Sequence, residues 1–298
     1  MPNYNQPMAE VFGYPIDNVT QDAVDARTNK LCPFKGAGVP CTKDRINAPL
    51  GVCSAYHPVG GIQPAITCPS RFLEGGVMFR TVAEHYFGTG LTPGNDWFAV
   101  REQTLVNDAF ESAGDIDWVV VRLDGDEIVD YVPLEVQAVY NFGNTRRPFE
   151  AFMRSPTTGA SFTWPKNSDY PHPDFTSSTR KRLAPQLVRK GTILHGWKRK
   201  IAVAVDAPLF DTIRNSLAAA AVSADQSELA WFIFDLVHDP ADNAYRLEHA
   251  ETVHTRFDLA MEAIAKIEAG SEATFLASLK ARYRDQAFPK KIRARKAT

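Results

Sequence analysis

Asp117, Glu135 and Gln137 are the residues whose types and spacing best suit chemistry in this chain. They lie in the stretch GDIDWVVVRLDGDEIVDYVPLEVQ, which reads as a β-hairpin. Asp124-Gly125-Asp126 carries the turn signal, and Asp117–Leu123 and Ile128–Gln137 are rich in Val, Ile and Tyr. Folding about Gly125–Asp126 sets Asp117 beside Pro133 or Glu135, and strand alternation sends Glu135 and Gln137 out from one face. Two carboxylates on neighbouring strands, with an amide two residues on, make an oxygen cluster of the kind that holds Mg²⁺. A hairpin with solvated acids on its outer face has the same bare spacing. The segments WVVV and VPLEVQAVY are too apolar for a fully exposed hairpin, however, and a buried carboxylate must be paired, protonated or on a metal. Asp115 is close enough to share the candidacy. Asp117 is preferred because it abuts the apolar strand and falls in register with Glu135. Glu102, on a strand predicted over Asp96–Val106, and Glu84, on a helix predicted within Glu74–Gly88, are further candidates for the cluster; each also reads as a solvated acid.

A second group of reactive side chains precedes the hairpin. All four cysteines, Cys32, Cys41, Cys53 and Cys68, fall in one Gly- and Pro-rich segment with little periodic pattern. Such a segment builds little hydrophobic core, and four thiolates around one tetrahedral metal would supply the missing cross-link. The spacings are wide and contain no CxxC pair, so no standard zinc ribbon or finger fits. Four unrelated buried cysteines, or a mixed set using His57, are the alternatives. Thiolates suit Zn or Fe, and the pattern does not choose between them.

The third feature is charge distribution. The formal net charge is only −2, yet basic residues cluster. Arg180, Lys181, Arg182, Arg189, Lys190, Lys198, Arg199 and Lys200 crowd one stretch, and Lys290, Lys291, Arg293, Arg295 and Lys296 crowd the C-terminal tail. This is the footprint of a phosphate-binding surface. In SSTRKRLAPQLVRKG, Ser177 or Ser178 is a candidate cap for a helix that carries Arg180, Lys181 and Arg182 in its first turns. Cations there oppose the helix dipole unless an anion such as phosphate sits beside them; a solvated basic face is the other reading.

The elements that must position these groups follow from pattern. After the hairpin come a short helix over Arg146–Met153 and a long aromatic-bearing loop, Arg154–Thr176. The basic helix follows, then a strand over Lys200–Asp206, a helix over Ala207–Val222, strands over Glu228–His238 and Ala244–His254, and two terminal helices. The order predicts an α/β or α+β fold with helices on the faces of a mixed sheet. Its expected parts are an N-terminal segment over 1–75, a core over 76–254 and C-terminal helices with a basic tail over 255–298. With 298 residues, 44% hydrophobic and 23% charged, the chain has ordinary globular composition. It has no apolar run long enough to span a membrane and no signal-peptide pattern at its start, so a cytoplasmic location is expected.

The helix, strand, Asp-bearing hairpin, ExQ and helix resemble the core of the PD-(D/E)xK nucleases, with Gln137 where those enzymes usually carry lysine. The narrower set VFGYPIDN, CPF, GVCS, ITCPSRF, GDIDWVVV, LEVQAVY, FGNTRRPFEAF and SSTRKRLAPQLVRKG is similar to the NotI-like type II restriction endonucleases, from about Val11 to about Val205. That resemblance implies a homodimer that cuts both strands of a GC-rich palindrome in double-stranded DNA with Mg²⁺. It also implies a four-cysteine iron or zinc module that helps to bind DNA, and a cognate methyltransferase in the same restriction-modification system. Carried over, Asp117 and Glu135 are metal-binding carboxylates, Gln137 orients the attacking water, and the four cysteines are the ligands of the structural metal. Because an amide brings no charge, heavier reliance on the metal, or on Arg or Lys from elsewhere, is expected. The competing functions are a PD-(D/E)xK nuclease without a fixed target sequence and a metal-stabilised DNA-binding regulator.

Overall fold

A computed structural model of the chain describes residues 6–57, 63–106, 111–157, 162–166, 169–266 and 270–285. The basic tail at Lys290–Lys296 lies outside them. Residues 1–264 form one compact unit and residues 265–298 a second.

The N-terminal part folds on a small sheet of short strands. β1 (Met8–Val11) and β2 (Tyr14–Pro15) form a tight hairpin, α1 (Gln21–Thr28) follows, and β3 (Val52–Ala55) and β4 (Ala65–Ile66) complete the order β2-β1-β3-β4. Gly13 in the hairpin has φ +87°, and a Cβ there would stand 2.2 Å from the Pro33 ring, so the turn requires glycine. Met8, Val11, Phe12, Val52, Phe149 and Phe152 give this part a modest core of its own. Its polar centre is also buried: Arg71 donates to Glu10, Glu74 and the Tyr245 carbonyl, and Ser54 donates to Glu10.

The larger sheet has six strands in the order β12-β11-β10-β7-β6-β5. After α2 (Val77–Phe87), the strands β5 (Trp97–Val106), β6 (Ser112–Asp124) and β7 (Glu127–Gln137) form an antiparallel meander. The predicted hairpin turn is present: Asp124 pairs with Glu127, and the ladder runs to Trp118 opposite Leu134. A short ribbon follows, β8 (Tyr140–Phe142) paired with β9 (His172–Asp174), with α3 (Arg146–Met153) between them. β9 therefore lies inside the segment expected to be loop; three residues paired to a three-residue partner leave too short a periodic trace to read.

A π-helical stretch, Ser177–Leu183, runs into α4 (Ala184–Gly196), which crosses over to β10 (Ile201–Asp206). β10 lies parallel to both β7 and β11 (Leu229–Asp239), the latter reached through α5 (Ala207–Leu217). β12 (Ala244–Thr255) returns antiparallel, and α6 (Phe257–Ala265) follows. In the second unit, α7 (Glu272–Asp285) is exposed along the residues whose side chains are described. Among the described residues no helix is long and apolar enough to cross a membrane.

Both faces of the sheet are covered. Val119, Val121, Val203, Val205, Trp231 and Ile233 pack against Leu187 and Leu194 of α4 and Leu209 and Phe210 of α5. Val120, Val132, Leu134, Ala202, Ala204, Phe232 and Phe234 pack with Met78 and Val82 of α2 on the other side. Covering on both faces explains why β10 and the first half of β11 are near-continuous apolar runs rather than alternating ones.

Candidate active site

The same alternation that sorts the core sorts the acids. Asp117 shares parity with Val119 and Val121, and Glu135 and Gln137 lie opposite Val203 and Val205 of β10, so all three belong to the α4–α5 face. Asp117 is one residue beyond the last β6–β7 pair, where the strands part. The ladder does not stop cleanly there: the Asp117 carboxylate takes over, its Oδ2 accepting the backbone N–H of Val136 at 2.8 Å. This fixes one oxygen of Asp117 against the strand that carries Glu135. The Gln137 side chain donates to the Ala138 carbonyl, which holds its amide at the end of β7.

The residue that sequence reasoning did not single out is Lys190. From α4 its Nζ donates to both oxygens of Glu135, at 2.8 and 2.7 Å, and the pair is buried: Glu135 is 2% exposed and Lys190 5%. It stood in the sequence only as one member of a basic cluster. Its position on the face of α4 that also carries Leu187 and Leu194 (three before it and four after) is the signal that separates it from its neighbours.

Burial raises the carboxyl pKa of both acids. For Glu135 burial is the largest effect, the neighbouring Asp117 adds to it, and Lys190 opposes both; the result is about 7. For Asp117 burial again dominates, opposed by the Val136 N–H and by Lys190, and the shift is upward.

Beside the buried Glu135 lies a cleft of about 690 Å³. Asp117, Gln137 and Lys190 line it, with Asp115 at one side and Lys181, Arg182 and Arg189 along the helical wall. Asp115 accepts a hydrogen bond from Thr104. Arg182 lies over the Tyr140 ring at 4.2 Å. Arg180 is exposed and does not border the cleft. The start of this basic helix is capped differently from the expectation. The side chain of Asp174 accepts the Ser177 N–H, while Ser178, which is fully buried, accepts the Tyr140 N–H and donates to the Asp174 carbonyl. The serine thus ties the helix to the strand leaving the site.

The two further acids lie apart. Glu84 is exposed on α2, across the sheet from the Asp117 face. Glu102 falls between the pairs Arg101–Trp118 and Gln103–Ile116, next to Asp117 in the sheet. Its φ is +55°, and its carboxylate meets Arg101 at 2.5 Å with both side chains more than half exposed.

The four cysteines are all buried and free of disulfides. Cys32 and Cys41 sit on one knuckle, Cys53 on β3 and Cys68 just after β4. They are within electrostatic reach of one another. Burial raises the Cys32, Cys41 and Cys53 thiols, and the charge of Cys68 raises each further. Backbone N–H groups of Phe34 and Lys35 point to Cys32 and that of Lys43 to Cys41, which favours thiolate. Among the described residues, no three His, Cys, Asp or Glu side chains stand at the spacing of a bound ion. The module joins the sheet at β4: Ile66 donates its N–H to Asp206 at 2.6 Å and its carbonyl accepts the Val139 N–H.

Compared with known proteins, the chain matches the family described as restriction endonuclease NotI over residues 10–247. No curated protein matches it.

Proposed function

Because the chain belongs to the NotI restriction endonuclease family and is therefore a site-specific deoxyribonuclease acting on DNA, we propose that Asp117 and Glu135 are its metal-binding carboxylates and that Mg²⁺ is the ion they hold. The family implies a restriction-endonuclease fold, and the six-stranded mixed sheet with helices on both faces accords with it. The observation that carries the assignment is the side-by-side placing of a buried carboxylate, Glu135, and a half-buried one, Asp117, with Asp117 at the edge of a cleft whose helical wall is basic.

The donor set suits the ion. Both ligands are oxygen, as a hard cation requires, and Asp117 Oδ1 has no hydrogen-bond partner among the described residues. When bound, Mg²⁺ lowers the pKa of a water and polarises the scissile phosphate. The chain's own residues supply the remainder. The Val136 N–H orients Asp117. Gln137, neutral, positions the water by hydrogen bonding alone. Lys181, Arg182 and Arg189, with Arg180 further out, hold the phosphate backbone of the duplex. Glu102 is the additional acid in the adjoining strand; Glu84, on the far face, is the less favoured one.

The same reading makes Cys32, Cys41, Cys53 and Cys68 the ligands of a structural iron or zinc in an N-terminal module, residues 1–75, packed on a nuclease core over 76–254. Four buried thiols within electrostatic reach of one another, with backbone N–H donors toward the sulfurs of Cys32 and Cys41, support it. The enzyme acts as a homodimer on a short GC-rich palindrome: two-fold symmetry in the protein matches two-fold symmetry in the site, and Arg reading guanine is the commonest specific base contact. The test is a nicking assay on supercoiled plasmid with purified wild type and Glu135→Gln. Wild type should cut with Mg²⁺ and not with EDTA, and the variant should bind DNA without cutting. Unchanged cutting by Glu135→Gln would remove Glu135 from the site.

A further inference from the structure

Hydrolysis of a phosphodiester builds negative charge on the phosphate, and the strand that carries Glu135 offers only a neutral amide, Gln137, beside it. The missing charge has a counterpart on the facing helix. Lys190 is buried, it contacts both oxygens of Glu135, and it borders the cleft together with Asp117 and Gln137. Burying an ammonium and a carboxylate together gains little over two apolar side chains of the same volume, so the pair is poorly explained by stability. The rest of this face of α4, Leu187 and Leu194, is apolar, and an apolar residue at 190 would continue it.

We propose that Lys190 is the fixed positive charge of the hydrolytic site, delivered from α4 instead of from the strand position occupied by Gln137. The inference rests on the nuclease reading above. In it Lys190 acts through space and gives up no proton. A water oxygen forms a bond to phosphorus and the bond to the leaving sugar oxygen breaks. The water releases one proton, the leaving oxygen takes one up, and the ammonium remains charged throughout. Lys190 and the metal share Glu135, so the lysine also sets how strongly the two carboxylates attract a cation.

Three full-length proteins test this: wild type, Lys190→Gln and the transplant Gln137→Lys with Lys190→Gln. The first measurement needs no catalysis. Titration of Mn²⁺ into the metal-free proteins without DNA should show Lys190→Gln binding roughly threefold more tightly or better, because a positive charge next to the ligands has gone. Unchanged affinity would overturn the sharing of Glu135. The second is single-turnover cleavage at saturating Mg²⁺ and DNA. Lys190→Gln should lose roughly a hundredfold or more while still binding DNA, and the transplant should regain roughly tenfold over it. A Lys190→Gln enzyme within about threefold of wild type would overturn the proposal, as would a folded, DNA-bound transplant no faster than the single variant. If Lys190→Gln does not fold, the transplant decides alone: cutting supports the charge, and a folded but inactive protein refutes it. A wild type that fails to cut is a different result, since it refutes the nuclease site itself.

Discussion

Glu135→Ala is the perturbation whose outcome the geometry constrains most. Lys190 has Glu135 as its ion-pair partner and is 5% exposed, so truncating the acid leaves an ammonium buried without a counter-charge. Breaking a buried pair from one side costs about 3–5 kcal/mol, whereas removing both partners together is close to neutral. The pair lies within the compact unit of residues 1–264. For domains approaching this size each kcal/mol moves the unfolding midpoint by roughly 2–4 °C, so Glu135→Ala should melt about 10 °C below wild type. Adding Lys190→Met should recover most of that loss, and Glu135→Gln, which keeps an oxygen acceptor for Nζ, should fall between. The assay is calorimetric or fluorescence melting of metal-free protein, with and without the second substitution. If Glu135→Ala and Glu135→Ala/Lys190→Met melt within about 2 °C of each other, the pair is not desolvated and the burial argument for the site fails.

Asp117→Asn should abolish cutting with a stability change under about 1 kcal/mol, since an amide oxygen can still accept the Val136 N–H; melting and cleavage measured together check this. Cys53→Ser should lower the iron or zinc content found by elemental analysis and weaken DNA binding, while intact metal content and binding would count against the four-cysteine centre. Asp206, fully buried, accepts the Ile66 and Leu209 N–H groups, yet burial dominates and raises its carboxyl to about 7 from 3.8. Between those values the folded protein keeps a proton that the unfolded chain has shed, so this group's contribution to stability falls as pH rises from about 4 to 7, by up to about 4 kcal/mol. Urea midpoints at pH 5 and 7.5 should therefore differ less in Asp206→Asn than in wild type.

How much of this was legible in the sequence depended on the range of the interactions involved. The hairpin is readable from local signals, its turn and its β-branched strands, but these leave Asp117 beside either Pro133 or Glu135; a one-residue shift in the β6–β7 ladder between Arg122 and Leu123 sets the register that brings it next to Glu135. α3 was equally local, with Pro148, Phe149 and Phe152 defining its buried side. The N-terminal sheet escaped because its strands are two to four residues long and take their stability from Arg71 and Glu10, far apart in sequence. α1, QDAVDART, carries too few apolar residues to declare a face. A serine before a basic helix reads as its cap, which points to Ser177 or Ser178, whereas Asp174 accepts the first N–H and Ser178 holds β8. Lys190 was visible only as a charge among charges. Its partner is 55 residues away, and only the crossover from β7 to β10 through α4 brings the two together.

If the Asp117–Glu135 cluster cuts duplex DNA at a fixed sequence, a plasmid of known sequence digested with the purified protein and Mg²⁺ will show it in the sequences of its fragment ends. Discrete fragments whose ends all carry one short palindromic sequence, absent with Asp117→Asn, are the predicted result. Ends scattered without a common sequence, or the same fragments from the variant, would contradict it.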